Sequence, residues 1–260
     1  MIELIDLTKI FRDKKAVDGI NLSVPKGTVF GFLGPNGAGK TTTLLMMAGV
    51  LKPSSGKILI GGKDLAREPA AVKGNIAFIP DHPFLYEKLT ALEFLFFIAD
   101  LYGLQKTPAL EDEAHRLLSL FDLEEWKDNM VEGYSHGMKQ RLVLCGALLH
   151  RPDFFIVDEP MVGLDPSGSL LVKKIFKDQA ARGGTVFMST HSLAVAEELC
   201  DQIAIIQDGK IKANGTPEKL RSAVGVDGNL ERVFLKLTER DLKQDDDIRS
   251  SEAQDNRFPE

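Results

Sequence analysis

Residues 34–42 read GPNGAGKTT, and this stretch constrains the chain more than any other. It follows an apolar, strand-like run, Thr28–Leu33, and precedes a helix-like run, Thr41–Val50. GxxxxGK followed by Ser or Thr, at a strand-to-helix junction, is a phosphate cradle. Its glycines let the backbone bend so that successive N–H groups point inward at phosphate oxygens. The helix that begins at Lys40 adds the positive end of its dipole. The spacing predicts that Lys40 reaches the β- and γ-phosphates of a nucleoside triphosphate and that the Thr41 hydroxyl holds Mg²⁺.

Such a cradle needs an acid at the end of a neighbouring strand. Phe154–Glu159, FFIVDE, supplies one: four apolar residues make a buried strand that delivers Asp158 and Glu159 at its carboxyl end. In open parallel sheets ligands sit at that end. Asp158 suits the Mg²⁺ ion, and Glu159 is placed to polarise the water that attacks the γ-phosphorus. A guanine-reading NKxD stretch is absent from the sequence.

The remaining chain alternates strands and helices. Ile2–Leu7 and Ile20–Val24 read as strands, with a turn at Pro25-Lys26-Gly27. Gly56–Ile60 and Asn75–Ile79 follow as strands around a charged connector. Residues 85–134 change character: Thr90–Tyr102 and Leu110–Phe121 read as helices, the first opened by a Thr90/Glu93 capping box. Helix Lys139–Leu149, strand Phe154–Val157, helix Ser167–Arg182, strand Thr185–Ser189 and helix Ala194–Cys200 come next. Gln202–Gln207 and Lys210–Asn214 face each other across Asp208-Gly209, a hairpin signal, and Thr216-Pro217 starts a further helix. The expected fold is α/β: a P-loop nucleotide hydrolase core with a mostly parallel sheet, N-terminal antiparallel strands and an inserted α-helical subdomain. Residues 1–84 and 135–238 form the core in this division, 85–134 the insertion, and 239–260 an acidic tail expected to be disordered.

Composition narrows the partners. The 260 residues are 43% hydrophobic and 27% charged, as in soluble globular proteins, and carry a net charge of -6. That acidic balance argues against a duplex-binding surface, so no nucleic acid is expected. Cys145 and Cys200 stand in no CxxC or Cys/His cluster, which points to small buried hydrophobes in a reducing compartment. The N-terminus lacks a signal-peptide pattern, and the most apolar stretch, Leu92–Leu104, is too short to span a bilayer.

The motifs in order are GPNGAGKTT, YSHGMKQR, FFIVDEP, GLDP and STH. This set resembles the nucleotide-binding subunit of ATP-binding-cassette (ABC) transporters over Met1 to Thr238. The resemblance implies an ATPase that dimerises head-to-tail around two ATP. It would drive a separate integral-membrane permease from the cytoplasmic face of the membrane. Phe11 then corresponds to the aromatic that stacks on adenine, with Ala16 and Val17 lining the base. Gly34, Asn36, Gly37, Ala38, Gly39, Lys40, Thr41 and Thr42 correspond to the phosphate cradle, Asp158 to the magnesium acid and Glu159 to the catalytic base. Asp165 matches the aspartate at the subunit junction, and His191 the histidine that contacts the γ-phosphate. Ser135 and Gly137 match the signature loop, which binds ATP held by the other subunit, identical or not. Taken alone, Ser135 beside His136 lacks the His–acid partner of a serine nucleophile.

Two positions depart from the pattern. The signature loop usually reads LSGGQ; here it is YSHGM, with His136 for a glycine and Met138 for glutamine. Asp81 stands where the family has glutamine, and is expected to sense the metal as a harder ligand with added negative charge. Phe84, Leu85 and Tyr86 fall in the region that grips a coupling helix of the permease. The helical insertion and LYEKLT lean towards exporters. The alternatives are a soluble ABC ATPase acting on the ribosome or nucleic acid, and a low-turnover regulatory ATP-binding module.

Overall fold

The computed structural model describes residues 1–82, 84–223 and 230–237. The chain opens with β1 (Ile2–Phe11), β2 (Lys14–Val24) and β3 (Thr28–Leu33), then helix α1 (Lys40–Met47), β4 (Ser55–Ile60), β5 (Lys63–Asp64), α2 (Pro69–Lys73) and β6 (Ile76–Ile79). Helices α3 (Ala91–Leu101), α4 (Pro108–Leu120) and α5 (His136–Leu149) follow. The last part contains β7 (Phe154–Asp158), α6 (Pro166–Ala181), β8 (Thr185–Thr190), α7 (Leu193–Leu199), β9 (Gln202–Gln207), β10 (Lys210–Gly215) and α8 (Pro217–Ala223). Residues 230–237 are helical. The tail expected at 239–260 lies outside the described residues.

Two sheets result. One is antiparallel, in the order β2-β1-β4-β5; the other runs β10-β9-β3-β8-β7-β6 and is parallel except for the β9/β10 hairpin. The central strands are apolar on both faces because both faces are covered. Val29 and Leu33 of β3, Phe155 and Val157 of β7, and Val186 and Met188 of β8 point into one core, with α3, α4, α5 and α6. Phe30 and Phe32, Phe154 and Ile156, and Phe187 point into the other, towards α1 and the antiparallel sheet. The first core runs without a break from the sheet into the helices of the insertion, and α5 packs against both α3 and α4.

Local signals set the boundaries. The Thr90/Glu93 capping box is formed in both directions. Asp208 and Gly209 both take positive φ (48° and 73°), as a type I′ hairpin requires. Helix α1 stops earlier than its apolar pattern suggests, because Gly49 turns left-handed (φ 65°) and Val50 N–H bonds back to the Leu45 carbonyl. The N-terminal strands run longer than alternation predicts. Register shifts between Leu4 and Leu7, and again towards Lys9 and Ile10, break the two-residue period. Asp6, at φ 46°, sits in this bulge and is tied across it to the Asn21 amide at 2.7 Å.

The Phe187 ring centroid lies 5.4 Å from that of Phe30 and 5.3 Å from that of Phe32, fully buried in the core between the two sheets. Phe187→Ala should therefore lower unfolding stability by about 3–5 kcal/mol. Urea denaturation checks this as a lower midpoint with an unchanged slope.

Candidate nucleotide site

The site is built where strands β3, β8 and β7 end level with one another. Leu33 pairs with Thr190 and Asp158 with Ser189, so three loops leave the sheet side by side. Between them lies a cleft of about 530 Å³, lined among others by Phe11, Ala16, Asn36, Gly37, Lys40, Thr41, Asp81, Asp158, Glu159 and His191. A larger cleft, about 720 Å³, lies between α4 and α6 and is lined by Glu113, Arg116, Arg151 and Lys174, among others. None of the predicted site residues lines it; of the motifs, only Phe155 of the FFIVDEP strand reaches it.

The loop between β3 and α1 depends on two glycines with no room for a side chain. A Cβ at Gly34 would lie 2.3 Å from the Ile206 carbonyl oxygen, and one at Gly39 would lie 2.4 Å from that of Ala16. Gly39 also has φ 106°. Lys40 is buried and folds back, its Nζ donating to the Gly34 carbonyl at 2.7 Å and the Pro35 carbonyl at 3.2 Å. Burial lowers its pKa, and the charges of Glu159 and Asp158 partly oppose that shift. An ammonium held by two carbonyls in such a place is ready to exchange them for phosphate oxygens.

The opposite wall is acidic. Asp158 is buried at the end of β7 and accepts a short hydrogen bond from the Ser189 hydroxyl. Glu159 has a left-handed backbone (φ 49°), an uncommon conformation for a residue other than glycine. Its N–H bonds the Ser189 carbonyl at 3.2 Å, which fixes the reversal. Its carboxylate lies 2.8 Å from His191 Nδ1 and accepts from the Thr190 hydroxyl at 3.2 Å. Asp81, just beyond β6, lies 3.1 Å from His82 Nδ1.

The sequence-predicted residues divide into three groups. Phe11, Asn36, Gly37, Gly39, Lys40, Thr41, Thr42, Asp81, Asp158, Glu159 and His191 share the cleft. Gly34, Ala38 and Val17 stand behind it: Val17 is fully buried in the core, and its Cγ2 would lie 3.4 Å from a Cβ at Gly39. Ser135, Gly137 and Asp165 do not line it. Ser135 caps α5, accepting from Met138 N–H at 3.3 Å. Asp165 caps α6 through Gly168 N–H, and hydrogen bonds from Ser167 and Arg141 hold its pKa down to about 2. Sequence reasoning passed over Ser189 and Thr190, although both lie in the STH motif; the signal was a pair of hydroxyls at the end of a strand next to β7.

Comparisons with known proteins give the family. The family model described as ABC transporter matches residues 17–162. The linearmycin resistance ATP-binding protein LnrL of Bacillus subtilis (strain 168) is 38% identical over 92% of this chain and 76% of its own length. The daunorubicin/doxorubicin resistance ATP-binding protein DrrA of Streptomyces peucetius is 38% identical over 90% of this chain and 70% of its own. A solved structure of an ATP-binding subunit of an ABC transporter superposes with TM-score 0.87 at 34% identity, covering 92% of this chain and 99% of the other. With a glycine loop, a buried acid and a glutamate–histidine pair around one cleft, the chain belongs to the ABC transporter family, as an ATP-binding subunit of the ATPase kind.

Proposed function

We propose that the cleft binds ATP with Mg²⁺ and that two copies, or this chain and a related one, close head-to-tail around two nucleotides. The pair would drive a separate membrane permease in the export direction from the cytoplasmic face of the membrane. The observation that carries the dimer is the separation of the motifs. The cleft holds the cradle, both acids and His191, while Ser135 and Gly137 stand elsewhere at the start of a 14-residue helix. Such a helix start favours an anion, here the γ-phosphate of the nucleotide held by the other subunit. The names of the relatives, resistance proteins towards linearmycin and daunorubicin, support export.

The donors fit a magnesium ion. Among the described residues no three His, Cys, Asp or Glu side chains gather as a metal cage. The Thr41 hydroxyl and the Asp158 and Asp81 carboxylates are hard oxygen donors on one cleft. Mg²⁺ is commonly held this way, by one or two carboxylates together with substrate phosphates. When bound, the ion neutralises charge on the phosphates. The chain's own groups do the rest. Lys40 takes the β- and γ-phosphate oxygens. Glu159, held by His191 and Thr190, accepts a proton from the water as its oxygen bonds to the γ-phosphorus and the bond to ADP breaks.

The permease contact is assigned to an aromatic groove of about 210 Å³ between β6 and α3, lined by Phe78, Phe84, Tyr86, Phe97, Leu101 and Tyr102, among others. Phe84 is 85% exposed, and Tyr86, half-exposed, stands edge-on to Phe97 with centroids 4.8 Å apart. An apolar groove rimmed by exposed aromatics suits a partner helix. No helix of the described residues is itself long and apolar enough to cross a membrane.

Loss of a general base costs about 10²–10⁴ in rate. Glu159→Gln should thus slow phosphate release by at least about a hundredfold while leaving ATP affinity near wild type; an unaltered rate would remove Glu159 from the chemistry. Asp81→Gln exchanges a charged ligand for a neutral one and should raise the Mg²⁺ concentration for half-maximal turnover by about threefold. An unchanged magnesium titration makes Asp81 a loop residue only. Tyr86→Ala should reduce co-sedimentation with membranes that contain the permease, with ATP binding retained; the reverse order of effects argues against the groove.

A further inference from the structure

The start of α5 and the loop after Glu159 pack against each other within one chain. His136 is the first residue of α5 and has no left-handed backbone, so the helix accepts a side chain there. Its ring fills the space left by the missing side chain of Gly163. A Cβ at Gly163 would lie 2.5 Å from His136 Cδ2 and 2.7 Å from Nε2. A Cβ at Gly137 would lie 3.0 Å from the Gly163 carbonyl oxygen, so the two backbones are also in close approach. One turn further along α5, the Arg141 guanidinium bonds Asp165 at 2.7 Å. Asp165 in turn caps α6.

We infer that His136 is a positioning residue: seated on Gly163, its ring fixes the Ser135–Gly137 loop to the segment that leads from Glu159 to Asp165. This rests on the head-to-tail dimer proposed above. In that dimer the segment starts at the chain's own catalytic glutamate, and the loop serves the partner's ATP. Gly163 is four residues beyond Glu159. The ring therefore sets the register between the site a chain works in and the half-site it lends. A register error of about an ångström at such a site can cost on the order of a hundredfold in rate.

Gly163 has φ 79°, so an added Cβ strains the backbone as well as striking the ring. Removing the ring separates the two effects. The experiment is a double-mutant cycle on the full chain, with His136→Gly, Gly163→Ala and the pair, reading ATP turnover, ATP affinity and oligomeric state. Gly163→Ala should lower turnover about tenfold in the native background and about twofold or less once His136 is glycine. ATP affinity should stay within about twofold in all, because neither residue lines the cleft. His136→Phe, which keeps a flat ring against Gly163, should retain roughly half or more of the turnover, and His136→Gly should lose about fivefold.

Equal costs of Gly163→Ala in both backgrounds would overturn the inference, since backbone strain alone then explains them. A His136→Phe variant as slow as His136→Gly would also overturn it, because the imidazole would then be acting by its nitrogens. If Gly163→Ala does not fold, the comparison of His136→Phe with His136→Gly decides alone. Gel filtration of Glu159→Gln with ATP distinguishes the two levels. A chain that stays monomeric sinks the closure of two identical copies, and with it this inference, which is read on that pair; a dimer with additive costs sinks only the inference.

Discussion

The cleft depends on a register. β3, β8 and β7 are parallel neighbours, with Leu33 level with Thr190 and Asp158 level with Ser189. Everything that meets at the nucleotide leaves the sheet from these three ends. A one-residue slip would exchange the two cores face for face, because Phe187 and Met188 belong to opposite ones. The same ladder tolerates local cost at its rim. A buried carboxylate at Asp158 is stabilised by the Ser189 hydroxyl, and the left-handed turn at Glu159 is held by the Ser189 carbonyl. Strain of this kind persists where surrounding structure over-determines it, and such places are frequently where chemistry happens.

Parts of this were legible in the sequence for a physical reason. The cradle is a local object: its glycines, lysine and threonine are contiguous, and their backbone needs follow from residue type alone. The same holds for the Thr90/Glu93 box, the Asp208-Gly209 turn and the two-faced apolar strands. What stayed hidden was set by tertiary packing. The bulge at Asp6 broke the alternation of β1 because a side-chain amide 15 residues away satisfies it. The partners of Asp158 and Glu159 lie about thirty residues on, in a strand whose position beside β7 has no local signature. The seat of His136 on Gly163 likewise joins two segments apart in the chain and has no local signature.

The acidic character of the chain and the chemistry of its cleft are separate matters. Most of the net charge of -6 falls in residues 239–260 of the sequence, whereas the cleft brings one buried lysine against two carboxylates. A polyphosphate entering it meets a field set by backbone N–H groups and Lys40 rather than by overall charge. That division lets an acidic protein hold an anionic ligand.

Helix α5 spans the distance between two of the surfaces described above. Its 14 residues make a rod of about 21 Å. Ser135 stands at one end. At the other, His150 stacks on Tyr102 at 3.7 Å, and both side chains reach the Ile76 carbonyl at the foot of the aromatic groove. Gly146 lets Phe94 and Ile98 of α3 press close to its last turn. The helix is thus a rod that joins the groove to Ser135: a tilt of about ten degrees about the His150 end would carry Ser135 through roughly 4 Å.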